Sequence, residues 1–330
     1  MSIDSIRDVA VLGLGTMGHG IAQTFAAAGY QVRCYDDYAP ARASLHQRIR
    51  SNLQAFVKAG LFDESNIEPT LARVQACDTE AAAVSNVSFI TEAVKEDLSA
   101  KLELFERLES LITPEAILAS NSSTFPISQS GAKLRLPGRA IVTHWFNPPH
   151  IVPLVEVVPS PETSEATTKT TFELMQNIGK QPLLLKKELP GFLVNRIQVA
   201  IMREVWDLLD QDVASPADID AAVRASVGFR LAALGPLEVH DFGGLDIQTT
   251  VYKNLVPEIS SDTQSVPAVV RNLVEQGHLG PKTGRGFHDY SPARLAERQT
   301  RRDALFLSLV KLLYPDSVNG SAGMFKVRWH

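Results

Sequence analysis

Short apolar runs alternate with longer amphipathic stretches over the first half of the chain, the pattern of strands interleaved with helices. Residues 9–12 form an apolar run ending in Gly13-Leu14-Gly15-Thr16-Met17-Gly18. An Ala-rich helix follows over 21–28 and ends at Gly29; residues 31–36 read as a second strand. Polar helical stretches at about 39–60 and 68–73 then delay the next strand, so they read as a helical insertion. Strands are predicted at 87–93 and 116–120, with a helix at 97–110 between them whose core positions are Leu98, Leu102, Phe105 and Leu108. The segment 139–143 leads into a strand pair joined by Asn147-Pro148-Pro149, and 181–185 is the last strand of this half. Beyond Gly191 the strand pattern stops. Helices are predicted over 193–209, 216–227, 245–255, 266–276 and 294–313. The expected fold is therefore α/β, a Rossmann-type doubly wound sheet with a helical insertion, followed by an all-α C-terminal domain. The division is placed at 1–188 and 189–330.

The glycine run sits between a strand and a helix, as a pyrophosphate-binding turn requires. Gly13 permits the tight turn, Gly15 close approach of the phosphates, and Gly18 helix–strand packing, with Thr16 and Met17 in the same loop. Asp36 lies 18 residues after Gly18, at the end of the second strand. A carboxylate there accepts hydrogen bonds from ribose hydroxyls and repels a 2′-phosphate, which favours NAD. Arg33 and Arg42 keep NADP open as an alternative. Arg42, Arg48, Arg50 and Lys58 in the insertion form either a basic arm for a phosphorylated substrate or a solvated helix face.

The second constellation is the strand pair. His144 stands at the mouth of one strand, and Glu156 lies inside an apolar run on the other. A carboxylate in such a run needs a partner, and the imidazole across the turn is the available one. The hydroxyl-bearing stretch Asn121-Ser122-Ser123-Thr124 ends a strand where ligands bind in open α/β sheets. It also suits a helix cap before Pro126. His150 and His240 read as polar surface or core groups.

Composition narrows the classes. The chain has 330 residues, 45% apolar and 21% charged, with net charge −5, and no nucleic-acid partner is expected. Cys34 and Cys77 lack any Cys-x-x-Cys spacing, so they read as reduced thiols and no metal site is expected. There is no membrane-length apolar run and no signal or transit character at the start. Residues 327–330 form no targeting tag, and the cytoplasm is the expected location.

At motif level the chain resembles the L-3-hydroxyacyl-CoA dehydrogenase family. His144-Trp145-Phe146-Asn147-Pro148 with Leu154-Val155-Glu156 is similar to the family's His-Phe-Phe-Asn-Pro and Leu-Val-Glu. Ser120-Asn121-Ser122-Ser123-Thr124, Gly191-Phe192-Leu193-Val194-Asn195-Arg196, Gly235-Pro236-Leu237 and Gly284-Arg285-Gly286-Phe287 resemble its other motifs. The resemblance implies an NAD-dependent enzyme of fatty acid metabolism, with a small-molecule substrate and a homodimeric assembly. It implies His144 as catalytic base, Glu156 as its partner, Ser123 and Asn195 as substrate-holding residues, and Glu96 and Lys101 near the nicotinamide. Trp145, Asp97 and Thr124 depart from the usual Phe, Asn and Ser. Pro159–Ser164 and Ser215–Asp218 also resemble the λ-crystallin/L-gulonate 3-dehydrogenase branch, which oxidises a free sugar acid. Either a 3-hydroxyacyl-CoA or a free 3-hydroxy acid is thus the expected substrate, and Trp145 is expected to help decide what enters the pocket. A nucleotide sensor or a bulk structural protein is the rival class.

Overall fold

The computed structural model describes residues 3–259 and 266–313, the side chain of Asp4 apart. The C-terminal tetrapeptide 327–330 lies outside the described residues. Eight strands make one sheet: β1 (Asp8–Leu12), β2 (Gln31–Tyr35), β3 (Val74–Ala76), β4 (Phe89–Glu92), β5 (Ile117–Ser120), β6 (Ala140–Trp145), β7 (Leu154–Val158) and β8 (Gln181–Leu184). Their order is β3-β2-β1-β4-β5-β6-β7-β8. Pairing is parallel from β3 through β6. β7 runs antiparallel to β6, and β8 pairs parallel with β7.

Parallel strands buried on both faces explain the unbroken apolar runs. In β1, Val9 and Val11 pack with Ile21 and Phe25 on one face. Ala10 and Leu12 pack with Leu104 and Leu108 on the other. The chain order reverses between β1 and β4, opening a crevice at the carboxyl ends of those strands.

The structure adds elements that the apolar pattern does not announce. β3 is three residues long, and only Val74 of it is buried. It edges the sheet beside β2, so the helices Ala39–Ala43, Leu45–Lys58 and Ile67–Ala72 fill the β2–β3 crossover. The helix Glu165–Asn177 buries Thr167, Thr170, Thr171, Leu174 and Met175. Threonines supply three of those five residues, which hides the stripe from a hydrophobicity reading. In the helix Leu98–Glu109 the buried residues are Lys101, Leu104, Phe105, Leu108 and Glu109. Leu98 and Leu102, expected in the core, are only half-buried.

Two compact units result: residues up to Val194 together with the chain from Asp303, and Asn195–Arg302. Leu307 and Val310, on the helix Pro292–Leu313, are buried in the core of the first unit. The second unit contains the helices Pro216–Ala225, Val227–Ala233, Pro236–Gly243, Leu245–Leu255 and Ala268–Glu275. None of these buries a residue. No helix among the described residues is long and apolar enough to cross a membrane.

Candidate active site

The glycine loop sits at the sheet's switch point. Gly13 has φ +88°, and a Cβ there would lie 2.5 Å from the Ala93 carbonyl oxygen at the end of β4. A Cβ on Gly18 would collide with the Gly13 carbonyl. Gly15 has open space where its Cβ would be, and Gly15 and Thr16 are exposed while Met17 is half-buried. The helix Gly18–Ala27 begins without a side-chain cap, which leaves first-turn amides and the positive end of the helix dipole for an anionic group. A dinucleotide pyrophosphate fits this cradle.

Asp36 follows β2. Its Oδ2 accepts from the Leu14 amide at 2.6 Å and its Oδ1 from the Tyr38 amide at 2.8 Å. A cleft of about 580 Å³ lies between this carboxylate and the β4 end, lined by Gly13, Gly15, Asp36, Asp37, Val94 and Lys95 among others. The arginines that kept a 2′-phosphate open are engaged elsewhere. Arg33 donates to the Ser85 carbonyl at 2.6 Å, and Arg42 donates to the Asp36 and Asp37 carbonyls. Arg48 donates to the Leu14 and Ala41 carbonyls, and Arg50 pairs with Glu68. Arg42 and Arg48 brace the loop around the cleft, so the basic-arm reading does not hold for these arginines.

The register of β6 and β7 sets His144 opposite Glu156. The His144 Nδ1–H donates to Glu156 Oε2 at 2.7 Å, with both side chains buried. A carboxylate can only accept, so with Glu156 ionised a neutral ring carries its proton on Nδ1 and presents a lone pair at Nε2. Glu156 Oε1 accepts from the amides of Leu193 (3.1 Å) and Val194 (2.9 Å). Those amides are aimed by a left-handed turn in which Gly191 has φ +75° and Phe192 φ +50°. Such a conformation is strained for a bulky residue and marks an over-determined site. The Phe192 ring is 5.5 Å from the His144 ring, and Phe146 is 4.5 Å away. The residues therefore form an oriented, half-caged imidazole.

Trp145 does not fulfil its expected role beside the pocket. Side chains alternate along a strand, so it projects to the face opposite His144. It is buried in the sheet core 6.1 Å from the Phe25 ring.

Ser123 lies on the loop after β5, which a partly exposed carboxylate organises. Glu96 Oε1 accepts from the Ser122 hydroxyl (2.7 Å), the Ser123 amide (2.8 Å), the Thr124 amide (3.0 Å) and the Thr124 hydroxyl (2.9 Å). Its Oε2 lies 3.2 Å from the Lys101 ammonium. Burial alone would raise the Glu96 carboxyl; the Ser122 hydroxyl, Lys101, the Thr124 hydroxyl and the Ser123 amide overcome it and hold the group at about 2. Lys101 also donates to the fully buried Glu92 at 2.7 Å, and Glu92 accepts from Ser120 at 2.7 Å. Glu92 is a member of this constellation that the sequence reading passed over. Its signal was the one that exposed Glu156, an acid in an apolar strand. Asn195 belongs to the second unit, in the helix Val194–Asp210. Among the described residues no cluster of acidic, His and Cys side chains could hold a metal ion.

Residues 8–189 match the model of the 3-hydroxyacyl-CoA dehydrogenase NAD-binding domain, and residues 191–290 match that of the 3-hydroxyacyl-CoA dehydrogenase C-terminal domain. The chain belongs to the 3-hydroxyacyl-CoA dehydrogenase family. It is an NAD-dependent oxidoreductase. Rabbit (Oryctolagus cuniculus) lambda-crystallin is 36% identical over 318 residues, 94% of this chain and 98% of that one. A probable 3-hydroxybutyryl-CoA dehydrogenase of Bacillus subtilis is 33% identical over 285 residues, 86% of this chain and 98% of that one. The 5-formyl-3-hydroxy-2-methylpyridine 4-carboxylate 5-dehydrogenase of Mesorhizobium japonicum is 34% identical over 311 residues, 93% of this chain and 98% of that one. A solved structure of a dehydrogenase for that pyridine carboxylic acid, described as an NAD⁺-dependent dismutase, superposes with a TM-score of 0.87 at 32% identity, covering 93% of this chain and 98% of that one.

Proposed function

We propose that the chain oxidises the 3-hydroxyl of an L-3-hydroxyacyl-CoA to the 3-ketoacyl-CoA, reversibly, with His144 as the base. The observation that carries the reading is the Glu156–His144 pair at 2.7 Å, in a chain that also has a glycine loop suited to a dinucleotide. His144 Nε2 takes the hydroxyl proton as the carbonyl forms. Glu156 keeps the tautomer and stabilises the imidazolium. Ser123 bonds the reacting oxygen and Asn195 helps hold the substrate, limiting the approach to a productive geometry. Gly13, Gly15, Thr16, Met17 and Gly18 cradle the pyrophosphate, Asp36 holds the ribose, and Glu96 with Lys101 shapes the nicotinamide end through the Ser122–Thr124 loop. Bound NAD would supply the hydride acceptor. The chain then divides functionally at 188/189, into an NAD-binding domain and a helical substrate and dimerisation domain, in a cytoplasmic enzyme of fatty acid metabolism.

A second reading is a free 3-hydroxy acid such as L-gulonate. Coverage supports it: lambda-crystallin, of the branch that residues 159–164 and 215–218 resemble, matches 94% of this chain, against 86% for the B. subtilis relative, and the pyridine carboxylate enzyme, named for a free acid, matches 93%. NADH absorbance at 340 nm separates the two. Turnover of acetoacetyl-CoA with NADH and none of L-gulonate with NAD supports the thioester; the reverse supports the free acid. Turnover of neither, nor of longer 3-ketoacyl-CoAs or other 3-hydroxy acids, would remove both.

A further inference from the structure

Lys180 is a buried amine that the proposed chemistry leaves unused. It lies just after the helix Glu165–Asn177 and just before β8, 3% exposed. Its backbone is fixed by the helix end: the Lys180 amide donates to the Met175 carbonyl at 2.9 Å, past Gly179 at φ +79°. No carboxylate pairs with it among the described residues. Its Nζ donates to the Pro149 carbonyl at 2.6 Å and the Val152 carbonyl at 2.8 Å. It stands 5.2 Å from the centroid of the Trp145 ring, a distance at which a ring face attracts a cation.

Both carbonyls belong to the turn that follows the base. The Ile151 and Val152 amides close this turn onto the Pro148 carbonyl at 3.0 and 2.9 Å. The two carbonyls held by Lys180 thus belong to one turn that has no partner strand of its own. The far side of the turn rests on the cofactor helix. A Cβ on Gly20 would lie 2.7 Å from His150 Nδ1 and 2.8 Å from Pro149 Cγ. Gly20 is bare where the turn seats, two residues after the glycine that closes the phosphate loop. Trp145, whose face Lys180 meets, is the residue next to His144. One Nζ therefore meets both the turn that rests on the cofactor helix and the strand end that carries the imidazole.

We propose that Lys180 is a positioning residue for this reaction: it locks the 148–152 turn onto the cofactor helix and so fixes His144 relative to the cofactor. The inference rests on the reading of His144 as the base. It explains what a lysine does at a position where an apolar residue would cost less to bury: its amine donates to both of the turn's carbonyls, and an apolar side chain supplies no donor.

The test compares Lys180→Met with wild type in the intact chain, using two readouts. The first needs no substrate: the NMR signal of the His144 Nδ1–H, assigned by its loss in His144→Gln. The second is the acetoacetyl-CoA and NADH assay, with NADH affinity measured separately. In Lys180→Met the His144 signal moves or broadens, kcat falls at least about tenfold, and KM and NADH affinity stay within about threefold. A folded variant with an unchanged His144 signal and kcat within about twofold of wild type would overturn the proposal. Gly20→Ala presses the turn from its other side without touching Lys180, and covers the case in which Lys180→Met fails to fold. It reproduces the kcat loss and the shifted His144 signal; wild-type values for both would equally overturn it. If the wild-type enzyme does not turn over the thioester, the substrate reading fails, and the NMR arm still decides the role of Lys180.

Discussion

Replacing Glu156 with Gln tests how the base is tuned, because the outcome is dictated by hydrogen-bond parity. Oε1 accepts from two backbone amides, Leu193 at 3.1 Å and Val194 at 2.9 Å. In Glu156→Gln that position must be the amide oxygen, since an NH₂ there would face two donors. The NH₂ then faces His144 Nδ1, now 2.7 Å from Oε2. Nδ1 is forced to accept, the ring hydrogen moves to Nε2, and no lone pair is left there to take a substrate proton. The volume is unchanged and no cavity forms, so the effect falls on chemistry. A correctly held general base is worth about 10²–10⁴ in rate, or about 3–5 kcal/mol of barrier, and kcat should fall by that factor. NADH affinity, measured by fluorescence titration, should stay within about twofold, because the cofactor cradle is untouched. The assay is NADH absorbance with the best substrate of the panel. A folded variant that keeps kcat within about threefold would refute the tautomer argument.

Other predictions follow from neighbouring groups. Asp36→Ala should relax discrimination against NADP, read as the ratio of kcat/KM for the two cofactors; an unchanged ratio would remove Asp36 as the ribose-holding residue. Lys101→Met strips the cation from the fully buried Glu92. Breaking a buried pair from one side costs about 3–5 kcal/mol, so urea denaturation should show a loss of that order, and a loss under about 1 kcal/mol would mean that the pair is not confined as described. Burial lowers the Lys180 ammonium from its ordinary 10.5 to about 7. The unfolded chain therefore holds a proton that the folded chain has shed between those values, and stability should rise with pH across that window. The slope from this group is at most about 1.4 kcal/mol per pH unit. Urea denaturation at pH 7 and pH 9 should show the rise in wild type and a flatter response in Lys180→Met; parallel responses would contradict the burial argument.

Much of the fold was legible because the parallel strands bury both faces and leave plain apolar runs. The cofactor loop was legible because its chemistry needs glycine at fixed spacing. His144 and Glu156 were legible because an acid in an apolar run demands a partner, and the Asn-Pro-Pro turn supplied one. The parts that escaped did so for physical reasons. β3 exposes two of its three residues, so it carries no periodic signal. Lys101 was named through the family resemblance, but its burial beside Leu104, Phe105 and Leu108 was not, because reading by hydrophobicity discards a lysine. Lys180 has backbone carbonyls for partners, and backbone acceptors leave no trace in residue type. Trp145 was misplaced because its nearness to His144 in sequence becomes opposite faces in a strand.

The central claim is that His144, with its proton held on Nδ1 by Glu156, is the base of an NAD-dependent dehydrogenase. The most direct measurement is kcat and NADH affinity together in His144→Gln. In that variant kcat should fall by about 10²-fold or more with NADH affinity nearly intact. Wild-type turnover in this variant, or loss of NADH binding in step with turnover, would contradict it.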